Sequence, residues 1–167
     1  MTTIKTFPVK IIPYLSVYKD QVARLITGIQ QGEFGVPITI DDQPDLLNIE
    51  TFYQIKKGNF WCAVVGNDVV GTIALIDMGD GSGCIRKMFV RADYRGHQHQ
   101  TAHKLHSTLL DWCKQAQIGQ LYLGTLDYLH AAIKFYGKLG YAAIDPVELP
   151  ATFPRMALDN RFFTTKV

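Results

Sequence analysis

The chain has 167 residues, of which 47% are hydrophobic and 19% charged, which suits one globular domain with a sizeable core and excludes general disorder. The formal net charge of +2 is too small to indicate a nucleic acid or a membrane surface as a partner. The N-terminal residues lack the apolar stretch of a signal peptide, and no segment approaches the roughly 20 apolar residues that span a bilayer. We therefore expect a single cytoplasmic domain over 1–167.

The first third of the chain predicts one short strand and two helices. An apolar run at 9–12 indicates the strand, and apolar residues at helical spacing predict a helix over 18–31 that ends at the turn 32–35. A second helix is predicted over 41–58, where Pro44 suits the first turn.

The remainder of the chain predicts a strand meander and then alternating strands and helices. Apolar, β-branched runs between glycine-rich turns indicate the strands, and apolar residues at helical spacing indicate the helices. This order predicts a mixed sheet covered by helices, of α/β or α+β class. The predicted elements are a hairpin over 60–78, a strand at 84–90, a helix over 97–116, a strand at 121–125, a helix over 129–140 and strands at 141–144 and 161–167.

A basic turn connects the strand at 84–90 to the helix over 97–116. The first amide groups of a helix have no partner inside the helix, and its positive dipole end attracts phosphate. Charge alone leaves a phosphate site and a solvated basic turn as open alternatives. The basic residues around the turn are Arg91, Arg95, His97 and Lys104, with Arg86 and Lys87 nearby.

Two segments of the chain resemble the signature segments of the GNAT superfamily of N-acetyltransferases. Residues 87–113 place a Tyr-Arg-Gly turn between a strand and a helix, and residues 131–141 read AAIKFYGKLGY. The order of predicted elements is also similar to that of the superfamily over nearly the whole chain. The resemblance implies one acyltransferase domain of α/β (α+β) class, with a mixed, mostly antiparallel sheet of six to seven strands flanked by about four helices.

The resemblance further implies acetyl-CoA as a co-substrate and suggests which residues contact it. The pantetheine arm would lie along the backbone of Met88, Phe89 and Val90 like an added strand, and a backbone N–H there would bind the developing oxyanion. The pyrophosphate would bind the turn and the helix start, formed by Arg95, Gly96, His97, Gln98, His99, Gln100 and Thr101.

The resemblance also implies a catalytic acid. Tyr136 occupies the position where the superfamily commonly has a tyrosine that protonates the departing CoA thiolate. A phenol with a pKa of about 10 can protonate a thiolate whose parent thiol has a pKa of about 8.5. The alternative is that Tyr136 is a core aromatic of the helix over 129–140.

The general base is open, because two positions that many relatives use are different here. Cys84 and Leu129 stand near the positions of an acidic residue and an asparagine in those relatives. Glu33 lies in a turn that usually borders the acceptor pocket and is our hypothesis for a catalytic base, with an exposed turn carboxylate as the alternative. Glu50 and Asp77 are further carboxylates that could serve.

The cofactor motif of the superfamily, Q/R-x-x-G-x-G/A, is only partly kept. Arg95 matches its first position, but Gln98 and Gln100 occupy the two small-residue positions. Glycine there lets phosphate oxygens approach the backbone closely, whereas a glutamine must turn its side chain away or donate its own amide. We expect retained binding, and lost cofactor affinity is the alternative.

The histidines and cysteines favour no metal site. His99, His103 and His106 have the spacing of one helical face, but no nearby cysteine or acidic residue completes a ligand set. The three cysteines lie in apolar surroundings without a paired spacing, which predicts buried free thiols.

The leading hypothesis is an N-acetyltransferase that moves acetyl from acetyl-CoA to a primary amine of an unidentified acceptor by direct attack. A small-molecule acceptor is favoured over a protein, and segments 32–43 and 145–156 would line its pocket. One alternative is a GNAT-fold module that binds CoA or another nucleotide with lost or weak turnover. Another is a partner-binding domain without a ligand. A homodimer is also open, since some members pair through their last strands.

Overall fold

The computed structural model describes residues 7–167, in which seven strands form one sheet in the order β1-β2-β3-β4-β5-β7-β6. Neighbouring strands are antiparallel except β4 and β5, which are parallel. This confirms the predicted mixed, mostly antiparallel sheet. The strands are β1 Lys10–Pro13, β2 Asn59–Val65, β3 Asp68–Asp77, β4 Ser82–Val90, β5 Gln120–Thr125, β6 Ala142–Ile144 and β7 Arg161–Lys166.

Helices cover both faces of the sheet and bury apolar side chains against it. Helices α1 to α3 pack on one face through residues such as Ile26 and Leu46, whereas α4 packs on the other through Leu105 and Leu109, beside Tyr136 of α5. No helix of the described residues is long and apolar enough to cross a membrane. The helices are α1 Lys19–Gly28, which continues as a π-helical turn Ile29–Glu33, α2 Pro44–Leu47, α3 Ile49–Phe52, α4 Thr101–Ala116 and α5 His130–Lys138.

Two helix predictions were wrong in their extent. The predicted helix over 41–58 is two short helices, because Asn48 leaves helical geometry (φ −138°, ψ 48°) and its side chain donates a hydrogen bond to the Pro44 carbonyl. The predicted helix start at residue 97 is also wrong. Residues 97–99 form a turn, Gln100 has a φ of 49°, and α4 begins at Thr101.

The parallel pair of strands at the centre of the sheet is short. Strand β4 pairs with β5 over Ser82, Gly83 and Cys84 alone, although β4 continues to Val90 and β5 to Thr125. Beyond Cys84 the two strands diverge, so part of β4 has a free edge in the middle of the sheet. This divergence forms a gap between the two strands, and the candidate site lies in this gap.

Candidate active site

The gap between β4 and β5 opens into a cavity of about 670 Å³. Its walls come from 84–90 of β4, 123–125 of β5, the start of α5, and two loop segments, around 34–38 and 153–159. A second cavity of about 440 Å³ adjoins it at the start of α4. The strand edge and the helix start predicted to hold the cofactor therefore border two neighbouring cavities, which share Val90, Arg95 and Gly96 in their walls.

Strand β4 carries a β-bulge where it borders the cavity. Thr72 pairs with Phe89 and Ala74 with Arg86, so two steps along β3 stand opposite three along β4. The extra length is taken up at Lys87, whose φ is 54°, and the Thr72 hydroxyl donates a 2.7 Å hydrogen bond to the Lys87 carbonyl. Left-handed backbone is rare for residues other than glycine and concentrates at functional sites, where a bulge redirects side chains.

The turn before α4 presents free backbone N–H groups. Among the described residues, the amides of Thr101, Ala102 and His103 in the first turn of α4 have no acceptor, whereas the Lys104 amide bonds the Gln100 carbonyl. The Thr101 hydroxyl donates to the Tyr94 carbonyl at 2.9 Å, which ties the helix start to the preceding turn. Free amides at the positive end of a 16-residue helix suit a phosphate group.

The predicted cofactor residues divide into two groups by position. Gln98 and His99 line neither cavity, and the His99 ring packs against Tyr94 with ring centres 4.8 Å apart. The others border the larger or the smaller cavity: Met88, Phe89, Val90, Arg95, Gly96, His97, Gln100 and Thr101.

Arg95 connects the turn to the N-terminal helices. Its Nη1 and Nη2 atoms each donate a 2.7 Å hydrogen bond to Glu33, and its Nε atom donates to the Val90 carbonyl. The hydrogen bonds from Arg95 lower the pKa of the Glu33 carboxyl. A carboxylate held in this way is a weaker base, and Glu33 is also absent from the residues that line the larger cavity.

Arg86 and Lys87, placed near the phosphate turn by the sequence, instead reach the α2 side of the sheet. The Lys87 ammonium is buried and lies 2.6 Å from Gln43 Oε1 and 3.4 Å from Asp45 Oδ2. Arg86 donates to the Pro154 carbonyl, 2.6 Å away. Burial lowers the pKa of Lys87, and the Asp45 charge opposes that change. In a regular strand, Arg86 and Lys87 would point to opposite faces of the sheet. The β-bulge between them changes this alternation, so both side chains lie on the same face.

Tyr136 lies on the α5 side of the cavity. Its side chain is 4% exposed and lines the cavity, and its hydroxyl takes part in none of the hydrogen bonds among the described residues. Burial, followed by the neighbouring Cys84 thiol, raises its pKa above the usual value. The side chain therefore packs in the core through its ring while its protonated hydroxyl remains unbonded beside the gap.

Asp159 is a functional candidate that the sequence did not reveal. Its carboxylate rests against Gly124 of β5, where an added Cβ would lie 2.5 Å from Asp159 Oδ2, so a larger residue at position 124 would displace the carboxylate. Burial raises the pKa of this carboxyl, and the charges of Arg86, Lys87 and Arg155 oppose the rise. No local signal marks Asp159, because it lies in the irregular segment before β7 and reaches β5 only through the folded sheet.

The other residues considered for catalysis or metal binding lie elsewhere. Glu50 and Asp77 do not line the cavity, and Asp77 accepts hydrogen bonds from the backbone of Lys57 and Gly79. No group of three or more His, Cys, Asp or Glu side chains that could hold a metal ion occurs within residues 7–167. His103 packs edge-on against Phe135, and the three cysteines are buried free thiols.

Comparison with known proteins identifies the class of protein and its family. The family model described as "Acetyltransferase (GNAT) family" matches residues 25–141, more than half of the chain. The chain belongs to this family of acyltransferase enzymes, whose members use acetyl-CoA.

Two curated relatives from Xenopus tropicalis match part of the chain. A probable N-acetyltransferase camello is 29% identical over 100 residues, which cover 58% of this chain and 45% of that protein. N-acetylaspartate synthetase is 32% identical over 106 residues, which cover 62% of this chain and 38% of that protein. The matched part is thus less than half the length of each relative.

Solved bacterial structures show the same fold over nearly the whole chain. An acetyltransferase of the GNAT family from Staphylococcus aureus Mu50 is 38% identical with a TM-score of 0.90, covering 95% of this chain and 98% of that chain. An acetyltransferase from Streptococcus agalactiae 2603 is 27% identical with a TM-score of 0.91 over the same shares. N-acetylglutamate synthase from Neisseria gonorrhoeae, solved with coenzyme A and N-acetylglutamate, shares the fold alone at 16% identity and a TM-score of 0.74, covering 95% of this chain and 35% of that chain.

Proposed function

We propose that the chain is an N-acetyltransferase that transfers acetyl from acetyl-CoA to the primary amine of a small, cytoplasmic acceptor. The observation that carries this proposal is the divergence of β4 from β5 after Cys84, next to the free amides at the start of α4. An extended pantetheine arm can bond the free edge of β4 as a strand would, and the pyrophosphate can bond the amides of 101–103.

In this proposal Met88, Phe89 and Val90 supply the strand edge, and a backbone N–H there stabilises the oxyanion that forms when the amine attacks the thioester. Removal of one such donor typically costs about 10²–10³ in turnover. Tyr136 protonates the departing thiolate, because its raised pKa keeps the hydroxyl protonated and its ring is fixed in the core.

The attacking amine must lose a proton, and two carboxylates compete for that role. Glu33, our hypothesis from the sequence, is bound by Arg95 and has a lowered pKa. Asp159 borders the cavity and has a raised pKa, which makes it the better proton acceptor at neutral pH. We therefore assign the base to Asp159, and we assign to Glu33 the positioning of Arg95 beside Val90.

The test combines cofactor binding with thiol release in the presence of an amine panel. Tyr136→Phe should lower kcat about 10²-fold or more while leaving the Kd for acetyl-CoA within about threefold, because the phenol acts after binding. Tyr128→Phe, at an exposed tyrosine near α5, serves as the matched control and should keep full activity. Equal turnover of Tyr136→Phe and the unmodified enzyme would remove Tyr136 from the mechanism.

A binding module with lost turnover is the second candidate, and one observation favours it. Gln100 holds a left-handed conformation where the family motif has a small residue, which is unfavourable for a cofactor turn. If the chain binds acetyl-CoA but releases no CoA thiol with any amine in the panel, the result supports a binding module without turnover. Absence of acetyl-CoA binding would contradict both.

A further inference from the structure

We propose that the acceptor is an amine that also carries a carboxylate and an apolar body, and that the Arg86 guanidinium binds this carboxylate. The inference rests on the proposed function, because the cavity beside Arg86 is an acceptor pocket only if the chain acetylates an amine. It adds a substrate class and a residue that determines specificity.

The charges in the cavity wall are the first argument. Three lysine and arginine residues line the larger cavity, and two of them are paired with carboxylates, Lys87 with Asp45 and Arg95 with Glu33. Arg86 is the third, and no Asp or Glu oxygen within residues 7–167 lies within 4.0 Å of its nitrogen atoms. Arg86 is therefore the cation of this wall that a ligand can pair.

The hydrogen bonds of Arg86 lead to the same conclusion. The half-buried guanidinium donates through Nη2 to the Pro154 carbonyl at 2.6 Å, and the uncharged Tyr53 hydroxyl and Cys84 thiol are its side-chain neighbours. A guanidinium has five N–H donors in a planar fork that fits both oxygens of a carboxylate. Its contact with Pro154 leaves most of this fork available to a bound molecule.

The complementary anion of the cavity is Asp159. It is the one carboxylate residue among the described residues that line the larger cavity, and it forms no salt bridge with Arg86. An unpaired cation and an unpaired anion in one wall match a molecule with an ammonium and a carboxylate. The Arg86 charge acts on Asp159 without a direct ion pair. A simple amine that paired with Asp159 would leave the Arg86 guanidinium in a partly desolvated site without an anion in direct contact, which is costly.

The rest of the acceptor side is apolar, which defines the body of the molecule. Two separate segments of the chain line the cavity there, 34–38 and 153–159, and Asp159 is the one charged residue that they contribute to its wall. An acceptor with a large polar side chain would lose hydrogen bonds to water without replacing them. The apolar wall residues are Phe34, Val36, Ile38, Phe153, Met156 and Leu158.

Matched pairs of acceptors test the inference directly. Thiol release from acetyl-CoA is measured with phenylalanine and phenethylamine, with leucine and 3-methylbutylamine, and with the methyl esters of both amino acids. We expect kcat/KM to be about 10- to 100-fold higher for the acids, the range of one or two hydrogen bonds to a charged group. The amines of the esters are less basic than those of the acids, so a larger fraction of each ester has a neutral amine. A lower kcat/KM for the esters therefore cannot result from protonation of the attacking amine.

Arg86 variants then assign the preference to one residue. Arg86→Gln should remove the preference for acids, and Arg86→Lys, which keeps the charge without the fork, should retain part of it. Arg155→Gln is the matched control, since Arg155 follows Pro154, the residue that Arg86 bonds, and its guanidinium packs over the Phe162 ring, 5.1 Å from the centroid. This control should keep the preference.

The outcomes separate the inference from the function on which it rests. Equal kcat/KM for acids and decarboxylated amines would overturn the inference and leave the acetyltransferase function intact. An Arg86→Gln variant that loses activity equally with both members of a pair would also overturn it, because a purely structural role gives that result. If no amine releases thiol, calorimetry with N-acetylphenylalanine and CoA decides. Binding lost in Arg86→Gln supports the carboxylate site, and no binding to the unmodified enzyme contradicts it.

Discussion

At the scale of single residues, the two glutamines of the cofactor turn are not equivalent. Gln100 has a φ of 49°, in the left-handed region that favours glycine, whereas Gln98 is not among the residues with positive φ. The small residue of the family motif at position 100 therefore meets a requirement of the backbone itself. At position 98 the side chain lies outside both cavities, so its size has little effect on a ligand.

We expect Gln100→Gly to stabilise the fold by up to about 1 kcal/mol and to tighten acetyl-CoA binding. The left-handed conformation costs a residue with a Cβ roughly 1–2 kcal/mol, and the greater flexibility of glycine in the unfolded chain offsets part of the gain. Thermal unfolding and calorimetric titration measure the two effects. Gln98→Gly is the control and should show neither gain. A Gln100→Gly variant that binds acetyl-CoA more weakly would identify the Gln100 side chain as a ligand.

Asp159 should show a conflict between stability and activity. Its pKa in the folded chain lies above the ordinary value of 3.8, chiefly because of burial, so the folded state loses stability as the pH rises through that folded pKa. Asp159→Asn should therefore raise the free energy of unfolding at pH 7 while lowering kcat about 10²-fold. At a pH below 3.8 the gain in stability should disappear.

Urea unfolding at a series of pH values and thiol-release kinetics test this expectation. Asp111→Asn, at an exposed aspartate of α4, provides the control and should change neither quantity. An unchanged kcat in Asp159→Asn would show that Asp159 is not the general base and would leave Glu33 as the candidate.

At the scale of secondary-structure elements, the sequence predicted those elements whose apolar pattern is long and regular. The five longer strands, β2 to β5 and β7, lie within two residues of their predicted bounds, and helix α4 ends where predicted but begins four residues later. The region 41–58 failed because the conformation of Asn48 depends on a side-chain hydrogen bond that no apolar pattern encodes. The bulge at Lys87 was likewise beyond prediction, because it exists only through the register of β4 against β3.

Helix α4 is joined to the chain that follows α5 by a buried histidine, which makes this contact sensitive to pH. The His106 Nε2 atom and the Tyr141 hydroxyl are hydrogen-bonded at 2.6 Å. Burial, followed by the charge of His103, lowers the pKa of His106 from 6.5 to about 4. As the pH falls below 6.5, His106 becomes protonated in the unfolded chain but stays neutral in the folded chain. The free energy of unfolding therefore decreases between pH 6.5 and about 4.

We expect His106→Gln to reduce this loss by about 2–3 kcal/mol over that pH interval, since each unit of pKa difference corresponds to about 1.4 kcal/mol. The measurement is the free energy of unfolding at several pH values for both proteins. His97→Gln, at an exposed histidine, should leave the pH profile unchanged. Parallel profiles for His106→Gln and the unmodified protein would show that His106 is not the titrating group.

At the scale of the whole molecule, the two parts of the sheet are joined through a short seam. The β4–β5 pairing spans three residue pairs, whereas β5 and β7 are paired over six. A ligand that bonds the free edge of β4 and the start of α4 should therefore stabilise the whole fold. We also propose that residues 1–167 form one domain, which predicts a single cooperative transition.

Acetyl-CoA at 100 times its Kd should add about 2.7 kcal/mol to the free energy of unfolding. This corresponds to a rise in Tm of roughly 5–10 °C for a domain of this size. Hydrogen exchange should slow in 85–90 and in 96–103, which provide the strand edge and the free amides. Protection confined to other segments, or two separate unfolding transitions, would contradict this account.

The sequence predicted only part of the candidate site, because the remaining residues come together only when the whole sheet has formed. The turn 95–101 and Tyr136 lie in contiguous motifs, so local patterns pointed to them. Asp159 and the assignment of Arg86 to the acceptor side depend on which strands adjoin across the gap. Side chains brought together by sheet topology leave no common spacing in the sequence.

The burial of the three cysteines has a practical consequence for the enzymology. Cys62, Cys84 and Cys113 are at most 1% exposed, and burial raises the pKa of each thiol to about 12. A thiol-reactive dye added to the native enzyme will therefore report the liberated coenzyme with little background from the protein. The same dye will react with three additional thiols per chain once the protein unfolds. One reagent can therefore measure both turnover and the fraction of unfolded protein.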